Sequence, residues 1–361
     1  MTGTYGVGVV GLGQIAQIMH LPYLTELPGF EVRAVCDLSP SVTASVADQY
    51  GVSQRYTDYH DLLKQPDVDV VLVCTLDHAE IVIAAAEAGK HIVVEKPMCF
   101  NLEEADEIIR AVTAKNVKLM VSYMKRYDPG YQWALERFRA MENIRLVRVH
   151  DLAGDFSINN EIYDLFTAND IPQSVLDRGR ETSQRSMIQA IGEDRAHLVD
   201  AYSTLLGLTT HDSIILRQAF GEPSRVMFAD VYERNFVVAT LEYENGMRCV
   251  WESGILTGRK FWDESLTAYS SDQAVEVRFP FPYLKNAATM VFVNEMEDGA
   301  AVDKQVVASF DGAFKREWRH LHDCLSQNCQ PITNAEEGRA DVALMIELIK
   351  AVPVAAPAAS V

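Results

Sequence analysis

The sequence is short of basic charge: 32 Lys and Arg stand against 51 Asp and Glu, a formal net charge of −19. Nucleic-acid phosphates call for clustered Lys and Arg, so no nucleic-acid partner is expected. Docking on an anionic membrane surface is disfavoured for the same reason. A small anionic ligand is still compatible, because a pocket can be locally basic in an acidic protein. The six cysteines, at 36, 74, 99, 249, 324 and 329, include no Cys-x-x-Cys pair. Reduced thiols follow, and no metal site is expected, since Cys324 and Cys329 lack a partner set for zinc. No apolar run nears the ~20 residues of a membrane-spanning helix. The first residues enter Gly6-Val7-Gly8-Val9-Val10 directly, without the basic-then-apolar layout of a signal peptide. A cytoplasmic location is therefore expected. Internal repeats are absent too.

What is present is length enough for two domains, 361 residues with 48% hydrophobic side chains. Over residues 1–122 short apolar runs alternate with helical patterns. Val7 to Val10 leads through Gly11-Leu12-Gly13 into a helix near Gln14 to Tyr23, and Glu31 to Cys36 reads as a strand. A helix follows over Ser41 to Tyr50, opened by Ser39-Pro40. The continuous run Val68 to Cys74 suits a strand buried on both faces. The helix Ile81 to Ala88 stops at Gly89, and a strand at His91 to Val94, a helix at Leu102 to Asn116 and a strand at Lys118 to Val121 complete the series. Such alternation predicts an α/β fold, a doubly wound parallel sheet of Rossmann type with right-handed crossovers.

Residues 123–361 read differently, as a second α/β domain with a largely antiparallel open sheet that binds substrate and supports oligomerisation. A helix is predicted over Gly130 to Met141 and a strand over Arg145 to His150. The segment 155–203 is polar and partly helical; long insertions of this kind are usually lids or oligomer contacts. Arg178, Arg180, Arg185 and His197 lie in it, each read first as part of a solvated arm. Strands are predicted at Arg225 to Val231, Val237 to Tyr243, Met247 to Ser253, Ser265 to Ser270 and Ala274 to Val277, with Glu244-Asn245-Gly246 as a turn. A helix spans Ala335 to Lys350, and the Ala- and Pro-rich tail Val352 to Val361 has little to bury.

Gly11-Leu12-Gly13-Gln14-Ile15-Ala16 fits G-x-G-x-x-G/A at the start of a strand–turn–helix unit. Gly11 permits the tight turn, Gly13 lets backbone approach a pyrophosphate, and Ala16 allows close helix–strand packing. The helix beginning near Gln14 and Ile15 would present free N–H groups and its dipole to the phosphates. Asp37 ends the second predicted strand, where a carboxylate would accept hydrogen bonds from the adenosine ribose and repel a 2′-phosphate. NAD is the cofactor expected. A glycine turn and a helix-entry Asp also occur for purely structural reasons; the strand–turn–helix context favours the dinucleotide.

Ala88-Gly89-Lys90-His91-Ile92-Val93-Val94-Glu95-Lys96-Pro97 resembles the AGKHV-x-x-EKP signature of the Gfo/Idh/MocA oxidoreductases. Lys125-Arg126-Tyr127-Asp128-Pro129, His211-Asp212 and Phe220-Gly221-Glu222-Pro223 follow in the order that family shows. The resemblance covers the whole first domain and, more thinly, the second. It implies an NAD(P)-dependent enzyme acting on a sugar, glycoside or cyclitol, a homodimer or homotetramer paired through the broad sheet face, and a cis peptide before Pro97. Glu95, Lys96 and Pro97, with Thr75 and His78, would then border the cofactor.

Lys96, at the carboxyl edge of a parallel sheet, could hydrogen-bond the reacting oxygen and stabilise a developing alkoxide. A surface lysine paired with Glu95 is the bland alternative. His211 is the candidate base, because imidazole exchanges protons near neutral pH; a helix-start bystander beside a capping Asp212 is its alternative. Polyol dehydrogenases of the resembled family commonly carry Asp four residues before this His, where this chain has Gly207. Asp212, or an acid from 155–203, is expected to replace it. Tyr123, Lys125 and Arg126 follow the last strand of the first domain and could reach substrate, or could be ordinary cations at a helix entry, solvated or paired with Asp128. His150 and Asp151 are placed at the end of a strand, facing the nicotinamide or buried in the sheet. Two rival functions stay open: an enzyme that retains NAD and uses transient oxidation for elimination or glycoside cleavage, and a non-catalytic sensor of dinucleotide or sugar.

Overall fold

A computed structural model describes residues 3–353; residues 354–361 of the predicted tail lie outside the described residues. The strands β1 (Tyr5–Val10), β2 (Phe30–Cys36), β3 (Gln54–Tyr56), β4 (Val70–Val73), β5 (His91–Val94) and β6 (Leu119–Val121) form one sheet in the order β3-β2-β1-β4-β5-β6. Every neighbouring pair is parallel. β4 is buried along its whole length, because helices cover both faces, and this is why its sequence is an unbroken Val-Val-Leu-Val. Local signals set the helix ends. The Ser39 side chain accepts from the N–H of Val42 at the start of the helix Pro40–Tyr50. Gly89, at φ +74°, takes the left-handed turn that ends the helix Ala79–Glu87. β3 and the helix Tyr59–Leu63 escaped the sequence reading, being too short to show a period.

The chain leaves β1 for β2 on one side and later places β4 on the other. That reversal opens a crevice outside the carboxyl ends of β1 and β4, where doubly wound folds bind ligands.

A second sheet contains β7 (Leu146–Ala153), β8 (Arg225–Tyr232), β9 (Phe236–Glu242), β10 (Arg248–Ile255), β11 (Asp263–Tyr269), β12 (Gln273–Arg278), β13 (Met290–Glu297) and β14 (Ala300–Val307), in the order β14-β13-β12-β11-β7-β10-β9-β8. Only β7 and β10 run parallel; the other pairs are antiparallel, as predicted. β7 is longer than expected and runs on through His150 and Asp151 to Ala153. Its buried residues, Val147, Val149, Asp151 and Ala153, alternate with Arg148, His150 and Leu152, so one face is covered and the other open. The helices Pro129–Ala140 and Thr210–Phe220 pack on the covered face. Much of 155–203 is helical, chiefly Gln173–Ile191, and Arg178, Arg180, Arg185 and His197 are exposed on it.

The last helices, Ala313–Gln327 and Ala335–Lys350, return to the first sheet. The N–H of Val121 in β6 donates to the Thr333 carbonyl at 2.7 Å. Trp318, fully buried, stacks edge-on against Phe30 with ring centroids 5.0 Å apart and joins the core formed by Val7, Val9 and Val35. No helix among the described residues is long and apolar enough to cross a membrane. Truncating Trp318 to Ala would leave a large cavity between the returning helix and β1–β2. The expected cost is about 3–5 kcal/mol of stability. Urea unfolding measures it, and a loss below about 1 kcal/mol would mean that the returning helix contributes little to this core.

Candidate active site

Gly11 stands at φ +90°, and a Cβ there would meet the Cys74 carbonyl carbon at 2.7 Å. The turn can pass between β1 and β4 only as glycine. A Cβ at Gly13 would meet nothing within 4 Å, so open space faces the turn just where the next helix begins at Gln14. Ala16 is fully buried against the sheet core. The Asp37 carboxylate accepts from the N–H groups of Leu12 at 2.8 Å and Ser39 at 2.9 Å. It therefore braces the glycine turn, and each oxygen keeps a lone pair for a further donor. Leu38 and Leu76, 59% and 85% exposed, flank this crevice at the ends of β2 and β4. The sequence reading passed over both. An open glycine turn at a helix start, a ribose-edge carboxylate and two solvent-facing apolar side chains fit a dinucleotide with a flat base.

At β5 the chain enters Glu95-Lys96-Pro97, and the Lys96–Pro97 peptide is cis, as the resemblance implied. A buried relay fixes this corner. Trp318 Nε1 donates to His20 Nδ1 at 3.1 Å, so His20 carries its proton on Nε2, 2.8 Å from Glu95 Oε1. The other Glu95 oxygen accepts from the Lys96 N–H at 3.2 Å. Glu95 is thus occupied in holding the corner. His78 is likewise pinned, its ring nitrogens 2.7 Å from the Pro97 carbonyl and 2.6 Å from that of Thr75. Thr75 turns its hydroxyl onto the Asp77 carbonyl. The His78 ring thus ties the Thr75 turn to Pro97.

Lys96 Nζ donates to the Gly207 carbonyl at 2.5 Å. This contact brings together two chain segments 111 residues apart and sets Lys96 one helical turn from His211. Gly207 lies in a π-helical turn, Leu205–Thr209, leading into the helix Thr210–Phe220. It is exposed, and a Cβ there would meet nothing within 4 Å. The position where an Asp was missed is open space. His211 Nδ1 is buried with no hydrogen-bond partner among the described residues. Burial, with the Lys96 and Lys125 ammonium groups adding to it, holds the His211 imidazole well below its ordinary value. Burial also lowers Lys96.

Carboxylates reach the site from β7, β11 and the His211 helix. Asp151, Asp212 and Glu264 each offer an oxygen within 4.8 Å of the others. Register explains the pairing: Asp151 sits opposite Glu264 in the β7–β11 ladder. Lys125, almost fully buried, joins Asp212 Oδ1 at 2.9 Å, contacts Glu264 and lies 4.4 Å from the Phe279 ring centre. Both Asp151 oxygens are buried and have no partner among the described residues. Burial first, and then the Asp212 charge, pushes the Asp151 carboxyl well above the usual carboxylate range. Glu264 lay one residue outside the predicted strand. Its alternation with Leu266 and Ala268 on the buried face was the signal that could have found it.

Three candidates are placed elsewhere. Tyr123 is fully buried and donates to Asp341 at 3.0 Å, in the contact with the last helix. The Arg126 guanidinium is used up on the carbonyls of Ile214 and Ile332 and on Glu337. His150 lies on the open sheet face, 3.0 Å from Glu252, because neighbouring strand residues point to opposite sides.

The lowered imidazole has a stability consequence. The unfolded chain takes up a proton near pH 6.5 that the folded His211 refuses. The stability His211 contributes is thus present above about pH 6.5 and falls away as the pH drops below it. Between about pH 7.5 and 5.5, His211→Asn should lose less stability in urea unfolding than the unchanged protein. Equal losses would show that the native imidazole titrates like an exposed one.

Residues 5–123 match the family model GFO_IDH_MocA, described as an oxidoreductase family with an NAD-binding Rossmann fold. An uncharacterised oxidoreductase of Bacillus subtilis, YrbE, is 27% identical over 77% of this chain and 72% of its own. The myo-inositol 2-dehydrogenase of Thermotoga maritima is 34% identical over 40% of this chain; the match spans 43% of that relative's length. A 3-ketoreductase from Actinomadura kijaniata, solved with NADP and TDP-benzene, has a TM-score of 0.74 at 18% identity and covers 97% of this chain and 98% of its own. At that identity the likeness is one of fold.

Proposed function

The Rossmann domain of this chain belongs to the Gfo/Idh/MocA oxidoreductases, and from that premise we propose an NAD-dependent dehydrogenase that oxidises a secondary ring hydroxyl of a sugar, glycoside or cyclitol. The observation that carries it is the Lys96–Gly207 contact, which joins the first sheet to the His211 helix beside the open space at Gly207. A dinucleotide bound in the crevice supplies a hydride acceptor. Lys96 is placed to donate a hydrogen bond to the reacting oxygen and stabilise negative charge there. His211, held neutral, is placed to take the hydroxyl proton. Asp151 and Asp212 supply the carboxylate that Gly207 lacks, Asp212 braced on Lys125 and Asp151 unpartnered. The ribose-edge position of Asp37 favours NAD over NADP. The inositol dehydrogenase among the relatives supports a polyol substrate.

A second copy of the chain is the partner proposed, through the open face of the second sheet. Leu146, Tyr269 and Phe228 stand on it, 38%, 38% and 50% exposed. The test of function is NADH formation across sugars, cyclitols and glycosides, with NADP as control. Turnover with NAD should fall by about 10²–10⁴-fold in His211→Ala, the range removed with a general base, and should collapse in Lys96→Ala also. Asp151→Asn should lower kcat and leave NADH affinity intact. No turnover by a protein that binds NAD would move the reading to the retained-cofactor reaction. Binding left unchanged by Lys96→Ala, again without turnover, would favour the sensor.

A further inference from the structure

Residues 159–170 leave the second sheet and cross the dinucleotide crevice. The root of this segment is tied to the second domain: Tyr163 donates to the Tyr283 carbonyl, and Glu161 pairs with Lys260 at 2.6 Å. Its middle lies on the helix that follows the glycine turn. Asn159 Nδ2 donates to Gln14 Oε1 at 3.2 Å. Gln17 donates to the Phe166 carbonyl at 2.9 Å and accepts from the Phe166 N–H at 3.0 Å. Its far end reaches the start of the helix Pro40–Tyr50, where Asp170 accepts from the Ser39 hydroxyl and, at 2.9 Å, from the Ser41 N–H.

The place where Asp170 lands has a particular chemistry. A helix start with a serine hydroxyl and a free N–H is a site for an anion. It directly follows Asp37, whose other oxygen already holds the Ser39 N–H at 2.9 Å. In a dinucleotide laid along the glycine turn with its ribose on Asp37, a 2′-phosphate would point at these same donors. Here a carboxylate of the chain itself fills them.

We propose that Asp170 is a specificity-determining residue of the dinucleotide site, an internal anion that occupies the 2′-phosphate position and excludes NADP. This rests on the reading of the crevice as an NAD site. Asp37 alone leaves the donors of Ser39 and Ser41 free to bind a phosphate; Asp170 withdraws them and adds a second negative charge. Because Asp170 belongs to the second domain, cofactor choice is set jointly by both domains.

The test is binding of NADH and NADPH by fluorescence titration to the full-length protein and to Asp170→Ala and Asp170→Asn. The unchanged protein should prefer NADH. In Asp170→Ala the NADH-over-NADPH preference should drop by about tenfold, chiefly through tighter NADPH binding, while NADH affinity changes little. Asp170→Asn, which keeps an acceptor and loses the charge, should lie between. A preference within about twofold of the unchanged protein in both variants would overturn the proposal. Equal loss of both dinucleotides would do the same, since it marks a purely structural tie. The failure of the NAD reading is distinct: it would appear in the unchanged protein, as NADPH bound at least as tightly as NADH.

Discussion

Charges are costly to bury, and the Lys125 ammonium lies among Asp212, Glu264 and the Phe279 ring with almost no solvent around it. Each partner comes from a different part of the chain: Lys125 from the turn after β6, Asp212 from the helix carrying His211, Glu264 from β11. Removing any one of them would strand the rest, so the cage fixes the crossing from the first domain to the second. Such a cluster is weak evidence for net stability; what it specifies is position. The His211 helix is set against β7 and β11 by it, and Lys96 can then find the Gly207 carbonyl.

The same cage shapes the proton chemistry nearby. Two ammonium groups, Lys96 and Lys125, press on His211 and add to burial in keeping its ring neutral. Asp151 experiences the opposite pressure, from burial and from the Asp212 charge, and holds its proton more firmly than an ordinary carboxyl. The imidazole of His211 is thus pushed down and the carboxyl of Asp151 pushed up, in opposite directions. Pairs of groups whose environments push their pKa values apart are the usual means by which a site runs proton transfer in both directions.

Most of the first domain was legible because its information is local. A glycine turn, an alternation of strand and helix, and Asp37 at a strand end all lie within one stretch of chain, and Lys96 is part of a contiguous motif. The second domain was legible in kind and less so in detail. β13 and β14 were passed over although Met290 to Val293 is an apolar run, and the helix Ala313–Gln327 was missed. Tyr123 and Arg126 adjoin Lys125, which turns to Asp212 and Glu264, yet they themselves turn toward the returning helices. His150 and Asp151 differ only in parity. The apolar partners of Asp151 on its face, Val147 and Val149, mark it as the inward residue, although sequence alone does not say that this face closes the cleft. Asp170 needed a contact between segments more than 100 residues apart, for which a single sequence carries no local signal.

Gly207 draws these strands together. A side chain at this position would enter open space, since a Cβ there meets nothing within 4 Å, while the carbonyl accepts from Lys96. With glycine there, the backbone itself orients Lys96, and the volume is left to a ligand. Asp151, on the sheet, lies opposite Glu264 in the β7–β11 ladder, and on the proposed reading it would supply the carboxylate in place of an Asp at 207. The open helix turn at Gly207 leaves volume that an Asp at 207 would occupy. Hydride transfer asks that oxygen, base and acid converge, and on the proposed reading Lys96, His211 and Asp151 would be the groups that do so.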